Sequence, residues 1–199
     1  MSIAREGYPF ILVAALLALL ALVVGWKWVA LACVVFAFAF LGQGEGLILA
    51  PADGRVVAIR RADKEGLFAG AETRVSIFLS PLDVHVNRAP IRARVEQVRY
   101  REGGFLAAYR EEASEGNENN ALSLVDAEGR RLGVVQIAGV LARRIVCYVK
   151  QGDVLERGQR FGLIMFGSRV DLFLPRGARV DVVERQRVRA GETVIGRLP

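Results

Sequence analysis

The apolar stretch at the N-terminus constrains this chain more than any other feature. Residues 8–25 hold eleven Leu, Ile, Val or Phe residues and no charge. At about −0.3 to −0.6 kcal/mol each, their transfer into a bilayer is favoured by about 3 to 7 kcal/mol. A second apolar run, 28–41, follows Trp26-Lys27. One continuous helix over 8–41 would be about 51 Å long against a hydrocarbon core of about 30 Å, and would place Lys27 near mid-membrane at a cost of about 2.5–3.5 kcal/mol. Two helices turning at 25–28 avoid both problems. The second run spans only about 21 Å, so a hairpin inserted from one side fits as well as two full spans. Either way both ends lie on the same face. A secretory signal peptide would need a cleavage site leading into polar sequence, whereas here one apolar run leads into another.

The rest of the chain is long enough for one domain with a sizeable core. Gly42-Gln43-Gly44-Glu45-Gly46 reads as a flexible linker, which divides the chain into a membrane-associated helical hairpin (1–41), a linker (42–46) and a folded domain (47–199). The two cysteines, Cys33 and Cys147, sit in unrelated contexts. No disulfide framework or metal-ligand spacing is visible, as suits a reducing cytoplasm. The net charge of +6 is spread over many isolated arginines. Such a surface suits anionic lipid headgroups, whereas a nucleic-acid partner would call for clustered arginines interleaved with aromatics.

Short strands separated by glycine dominate 47–199. Leu47-Ile48-Leu49-Ala50-Pro51-Ala52-Asp53-Gly54-Arg55-Val56-Val57 reads as strand, Asp-Gly turn, strand. Further strands are predicted over 74–79, 122–125, 133–140, 144–149 and 179–183. Two apolar runs, 163–166 and 170–174, flank Gly167-Ser168, where a turn is expected. Val149 to Gly162 and Val188 to Gly196 echo one another, each placing a Gly-acidic turn soon after a valine strand. The fold expected is therefore mainly β, a β-sandwich of the barrel-sandwich kind. Segment 103–120 is rich in glycine, glutamate and asparagine and reads as a solvated loop, within which Phe105, Leu106 and Tyr109 could rest on lipid or substrate.

Three motifs carry chemistry. Ser80-Pro81-Leu82-Asp83-Val84-His85-Val86-Asn87-Arg88-Ala89-Pro90 contains the sole histidine of the chain. Its two prolines exclude it from a central ladder over its whole length. Together with Pro51-Ala52-Asp53-Gly54 and Phe166-Gly167-Ser168, it resembles the phosphatidylserine decarboxylases in their short bacterial and archaeal form, over nearly the whole chain. The resemblance implies that the Ser168 hydroxyl attacks the carbonyl of Gly167, that the resulting ester eliminates, and that the dehydroalanine left behind hydrolyses to a pyruvoyl group. That group would be the cofactor for converting phosphatidylserine to phosphatidylethanolamine. Also implied are Asp53 and His85 as the other catalytic residues, substrate contacts at Phe78, Asn87 and Arg88, and no metal. The enzyme would consist of the α and β chains of one precursor, on the cytoplasmic face of the inner membrane.

The chemistry is consistent with the residues present. A hydroxyl needs a base to become a nucleophile, and a histidine oriented by a carboxylate is a common solution. Glycine before serine permits a backbone conformation closed to other residues. Longer relatives carry a second histidine where this chain has Arg88. Arginine stays protonated, so it suits a substrate phosphate or carboxylate better than a proton-transfer role, and His85 would have to serve both self-cleavage and decarboxylation. Two other readings stay open: a decarboxylase of a related serine-headgroup lipid, and a membrane-anchored β-sandwich that binds lipid without chemistry. Acyl-chain preference and oligomeric state, a homo-oligomer included, are also open.

Overall fold

The computed structural model describes residues 46–62, 68, 70–110, 112–140, 144–165 and 167–199, together with 12, 13, 15–17, 19 and 31. The hairpin expected over 8–41 lies outside the described residues except at those seven positions, and the linker is described only at Gly46. Among the described residues no helix is long and apolar enough to cross a membrane. Met1–Leu47 and Ile48–Pro199 form two compact units, and the second holds the candidate site.

In chain order its elements are β1 (Leu47–Leu49), β2 (Gly54–Arg61), β3 (Ala71–Leu79), β4 (Val86–Arg88), β5 (Ala93–Arg101), a one-turn helix α1 (Ala113–Gly116), β6 (Asn119–Val125) and β7 (Arg131–Ile137). They continue with β8 (Ile145–Cys147), β9 (Val154–Leu155), β10 (Arg160–Ile164), β11 (Ser168–Pro175), β12 (Arg179–Val180), β13 (Arg187–Val188) and β14 (Val194–Arg197). The expectation of a mainly β protein holds. Eight strands form one antiparallel sheet in the order β13-β2-β3-β11-β7-β6-β5-β9, and two three-stranded sheets, β1-β14-β12 and β4-β10-β8, complete the fold. Ile77, Val170 and Leu172 of the large sheet share one core with Ile48 and Ile195 of the first small sheet and Phe161 and Ile164 of the second.

The alternation along β11 explains its central place. Ser168, Val170, Leu172 and Leu174 are buried on the core side, and Arg169, Asp171 and Phe173 alternate with them. Both edges of the strand are paired: residues 168–175 with β3, and 169–173 with β7.

Two predicted turns are not hairpins. β1 and β2 belong to different sheets, so Asp53-Gly54 does not join paired strands. Gly54 instead opens β2 at φ 147°, and a Cβ there would lie 2.1 Å from the Phe78 carbonyl oxygen. The glycine permits a close crossing of backbones. In the same way β10 and β11 lie in different sheets, so Gly167 marks a crossing between layers rather than a tight reversal.

The solvated loop expected over 103–120 is also corrected. Asn117 is fully buried. Its Oδ1 accepts from the Leu106 N–H at 2.8 Å, and its Nδ2 donates to the carbonyls of Leu106 at 2.8 Å and Ala138 at 2.7 Å. Arg169 secures the same segment from the sheet, donating to the carbonyls of Ala108 (3.1 Å) and Arg110 (2.8 Å), to Ser114 Oγ, and to Asp171. Leu106 and Tyr109 remain exposed. Because Asn117 satisfies three backbone groups, each worth about 1–3 kcal/mol when left buried without a partner, Asn117→Ala is expected to cost at least about 2 kcal/mol in denaturant unfolding of the uncleaved protein. A change below about 0.5 kcal/mol, the level of an unremarkable surface substitution, would contradict this role.

Candidate active site

Strand direction brings the sequence-predicted residues together. β2 and β11 both pair antiparallel with β3, so both begin at the end where β3 finishes. Ser168, the first residue of β11, is opposite Leu79. Across β3, Arg55 is opposite Phe78, which sets Gly54 level with Ser168 and Asp53 just beyond the sheet. Residues 80–85, carrying Asp83 and His85, leave β3 at this same end. Asp53, His85 and Ser168 are 115 positions apart at the extremes of the sequence, and the order of three strands gathers them.

Gly167 has φ 72°, and a Cβ there would meet nothing within 4 Å. Its glycine is required by conformation rather than by space. Ser168 is fully buried, and its Oγ has no hydrogen-bond partner among the described residues. An unpartnered buried hydroxyl costs free energy, and this one is not tied down by any hydrogen bond among the described residues.

His85 is half-buried, and its backbone carbonyl accepts from the Ile164 N–H at 3.1 Å on β10. Burial lowers the pKa of its imidazole, opposed by the Asp83 charge, a hydrogen bond to the Asp83 backbone and the charge of Asp53. The ring is thus neutral, and able to accept a proton, at neutral pH. Asp53 accepts from the Ala190 N–H at 3.2 Å. Burial raises its pKa, the Ala190 bond counteracts this, and the neighbouring charges of Asp83 and Glu192 raise it further. Asp83 itself is fixed by the Ser80 N–H at 2.8 Å and by Arg187 at 3.2 Å. The hydrogen bond to the His85 ring comes from the Asp83 backbone, whereas Asp53 acts on it through its charge.

The remaining predicted residues are placed differently from one another. Asn87 is fully buried, and its Oδ1 accepts from Gln136 Nε2 at 2.8 Å, while Gln136 Oε1 accepts from Asn120 Nδ2 at 2.9 Å. This chain of amides fixes which end of Asn87 is the donor, and its Nδ2 has no partner among the described residues. Gln136 is opposite Val170 on β11, so the chain shares the sheet face of Ser168. Arg88 donates to the Gly158 carbonyl at 2.7 Å and packs over Gly191, where a Cβ would lie 2.8 Å from its Cδ. Phe78 is opposite Arg169, on the face away from the Ser168 side chain, and its ring meets Tyr109 edge-on with centroids 6.0 Å apart.

Sequence reasoning left Asn117 in a solvated loop and passed over Gln136, Arg169 and Asp171. The last two carried a signal: charges at i and i+2 within an apolar strand share one face, and such a face must be covered. Arg169 and Asp171 form an ion pair of 2.9 Å with both side chains buried.

A buried hydroxyl, a neutral imidazole and two carboxylates at one end of a sheet are the parts of a nucleophile-and-base enzyme. The family model for phosphatidylserine decarboxylase matches residues 40–196. A phosphatidylserine decarboxylase proenzyme of Symbiobacterium thermophilum is 45% identical, over 99% of this chain and 96% of its own. Proenzymes of the same name from Syntrophus aciditrophicus and Burkholderia pseudomallei are 40% and 42% identical, over 98% and 99% of this chain and 96% and 95% of theirs. The chain belongs to the phosphatidylserine decarboxylase family.

His85 is the sole histidine, so imidazole proton resonances report it alone. In the Ser168→Ala protein its titration midpoint should fall below that of a free histidine. Adding Asp53→Asn removes a charge that favours the imidazolium, and should lower the midpoint further. A midpoint that rises instead would show that the carboxylate does not act on the ring.

Proposed function

We propose that this protein cleaves itself between Gly167 and Ser168 and then decarboxylates phosphatidylserine to phosphatidylethanolamine. The unpartnered, buried Ser168 Oγ next to a glycine in the left-handed region carries the reading. His85 takes the hydroxyl proton, Oγ bonds to the Gly167 carbonyl carbon, and the proton passes to the Ser168 nitrogen as the Gly167–Ser168 C–N bond breaks, leaving an ester and a free amine. Loss of the Ser168 α-proton then expels the Gly167 carboxylate. Water replaces the nitrogen, released as ammonia, and residue 168 becomes a pyruvoyl group at the head of a new chain.

The site fits such a group, since its position at the start of β11 is fixed by pairing with Leu79 of β3, and the β7 ladder begins at the next residue, Arg169. A pyruvoyl group there would supply an electrophilic carbonyl for the substrate amine and an electron sink for the loss of carbon dioxide. His85 returns a proton to the substrate carbon. Asp53 and Asp83 hold His85 in place, and Asn87 Nδ2 and the remaining donors of Arg88 suit substrate oxygens. Phe78, with Tyr109, borders this end of the sheet from the opposite face. The +6 charge and the apolar segment 8–41 support a place on an anionic membrane, and we assign the domain to its cytoplasmic side.

Wild-type protein on phosphatidylserine vesicles should release carbon dioxide and be found cut. Ser168→Ala and His85→Ala should stay full-length and inactive. Alkylation of His85 after maturation should abolish turnover with both chains intact. Normal cleavage in His85→Ala would assign the base to another group, and wild-type cleavage without carbon dioxide would point to a different headgroup.

A further inference from the structure

Gly139 lies two residues beyond the end of β7, the strand beside β11. Its φ is outside the left-handed region, so its backbone would accept any residue. Space is what excludes a side chain. A Cβ at 139 would lie 1.8 Å from the Gly167 carbonyl oxygen, 2.9 Å from the Gly167 carbonyl carbon and 3.4 Å from the Ala108 Cβ. The oxygen of the bond to be cut therefore rests on the bare Cα of Gly139. That seat is rigid: Ala138, the preceding residue, donates to the Glu118 carbonyl at 2.9 Å and accepts from Asn117 Nδ2 at 2.7 Å.

We propose that Gly139 is a positioning residue for self-cleavage. The reading rests on the cleavage between Gly167 and Ser168 proposed above. With the oxygen seated at 139 and Ser168 fixed by its pairing with Leu79, the plane of the intervening peptide is set. Attack by Oγ requires approach over the face of that plane. A methyl at 139 would drive the oxygen out by on the order of 1 Å, a displacement that can cost about 100-fold in rate. The left-handed backbone of Gly167 and the absence of a side chain at Gly139 are thus two halves of one arrangement.

The test is Gly139→Ala in the full-length protein, followed by the rate at which folded precursor is cut. The cut should slow by about 100-fold or more, with an unfolding midpoint close to that of Ser168→Ala. Hydroxylamine, which severs an accumulated Ser168 ester, should leave the variant whole, because the block precedes ester formation. Wild-type cleavage rates in Gly139→Ala, or prompt cutting by hydroxylamine, would overturn the proposal. Failure of the variant to fold would also overturn it, since the contact would then serve stability. A wild-type protein that remains uncut would instead refute the cleavage reading on which the proposal rests.

Discussion

The double pairing of β11 is the constraint on which the rest of the structure depends. Hydrogen bonded to β3 on one side and β7 on the other, this strand cannot shift register without turning its apolar side chains out of the core. Its first residue is therefore fixed in space. Because β2 runs alongside in the same direction, with β3 between them, the segment before β2 delivers Asp53 to the same end. The exit of β3 delivers His85. The site is a consequence of strand order, and its residues need no contiguity in sequence.

β11 also joins two polar systems on its opposite faces. On one, Arg169 and Asp171 lie buried against Ala108, Arg110 and Ser114, with Arg169 held by two backbone carbonyls as well as by the carboxylate. A buried ion pair is weak evidence for net stability, since desolvation offsets much of its attraction, but removing one partner strands the other charge at about 3–5 kcal/mol. Here the pair fastens Ala108, Arg110 and Ser114 to the sheet, while Asn117 separately steadies Ala138. On the core face, Asn120, Gln136 and Asn87 form a chain of amides reaching across to β4. Gly162 makes room for it, since a Cβ there would lie 2.9 Å from Gln136 Nε2.

Much of the site was legible in the sequence. Ser168 stands between two apolar runs and the proline-bracketed segment holds the sole histidine, but what marked either as functional was the resemblance of these motifs to the phosphatidylserine decarboxylases, not local composition. The strand over 74–79 was legible from its alternation, and the structure extends it back to Ala71. What was not legible depended on partners distant along the chain. Asp53-Gly54 has the composition of a hairpin turn, and only the approach of Phe78 from β3 shows why glycine is needed there. Segment 103–120 has the composition of a solvated loop, yet Asn117 and Asn120 are buried because their amides find backbone and Gln136 as partners. β5 was missed because arginines and a glutamine interrupt its alternation. Gly139 could not be singled out, since its requirement lies wholly in a carbonyl 28 residues away.

A chain cut at the first residue of a central strand keeps its fold only if the ladders, and not the continuity of the backbone, hold it together. The small product would carry β11 to β14, which pair with β1, β2, β3 and β7 of the large one. Native and denaturing mass spectrometry of the active protein measures this directly. The account predicts one species under native conditions that resolves on denaturation into residues 1–167 and a pyruvoyl-headed 168–199. An uncut chain in protein that releases carbon dioxide would contradict it.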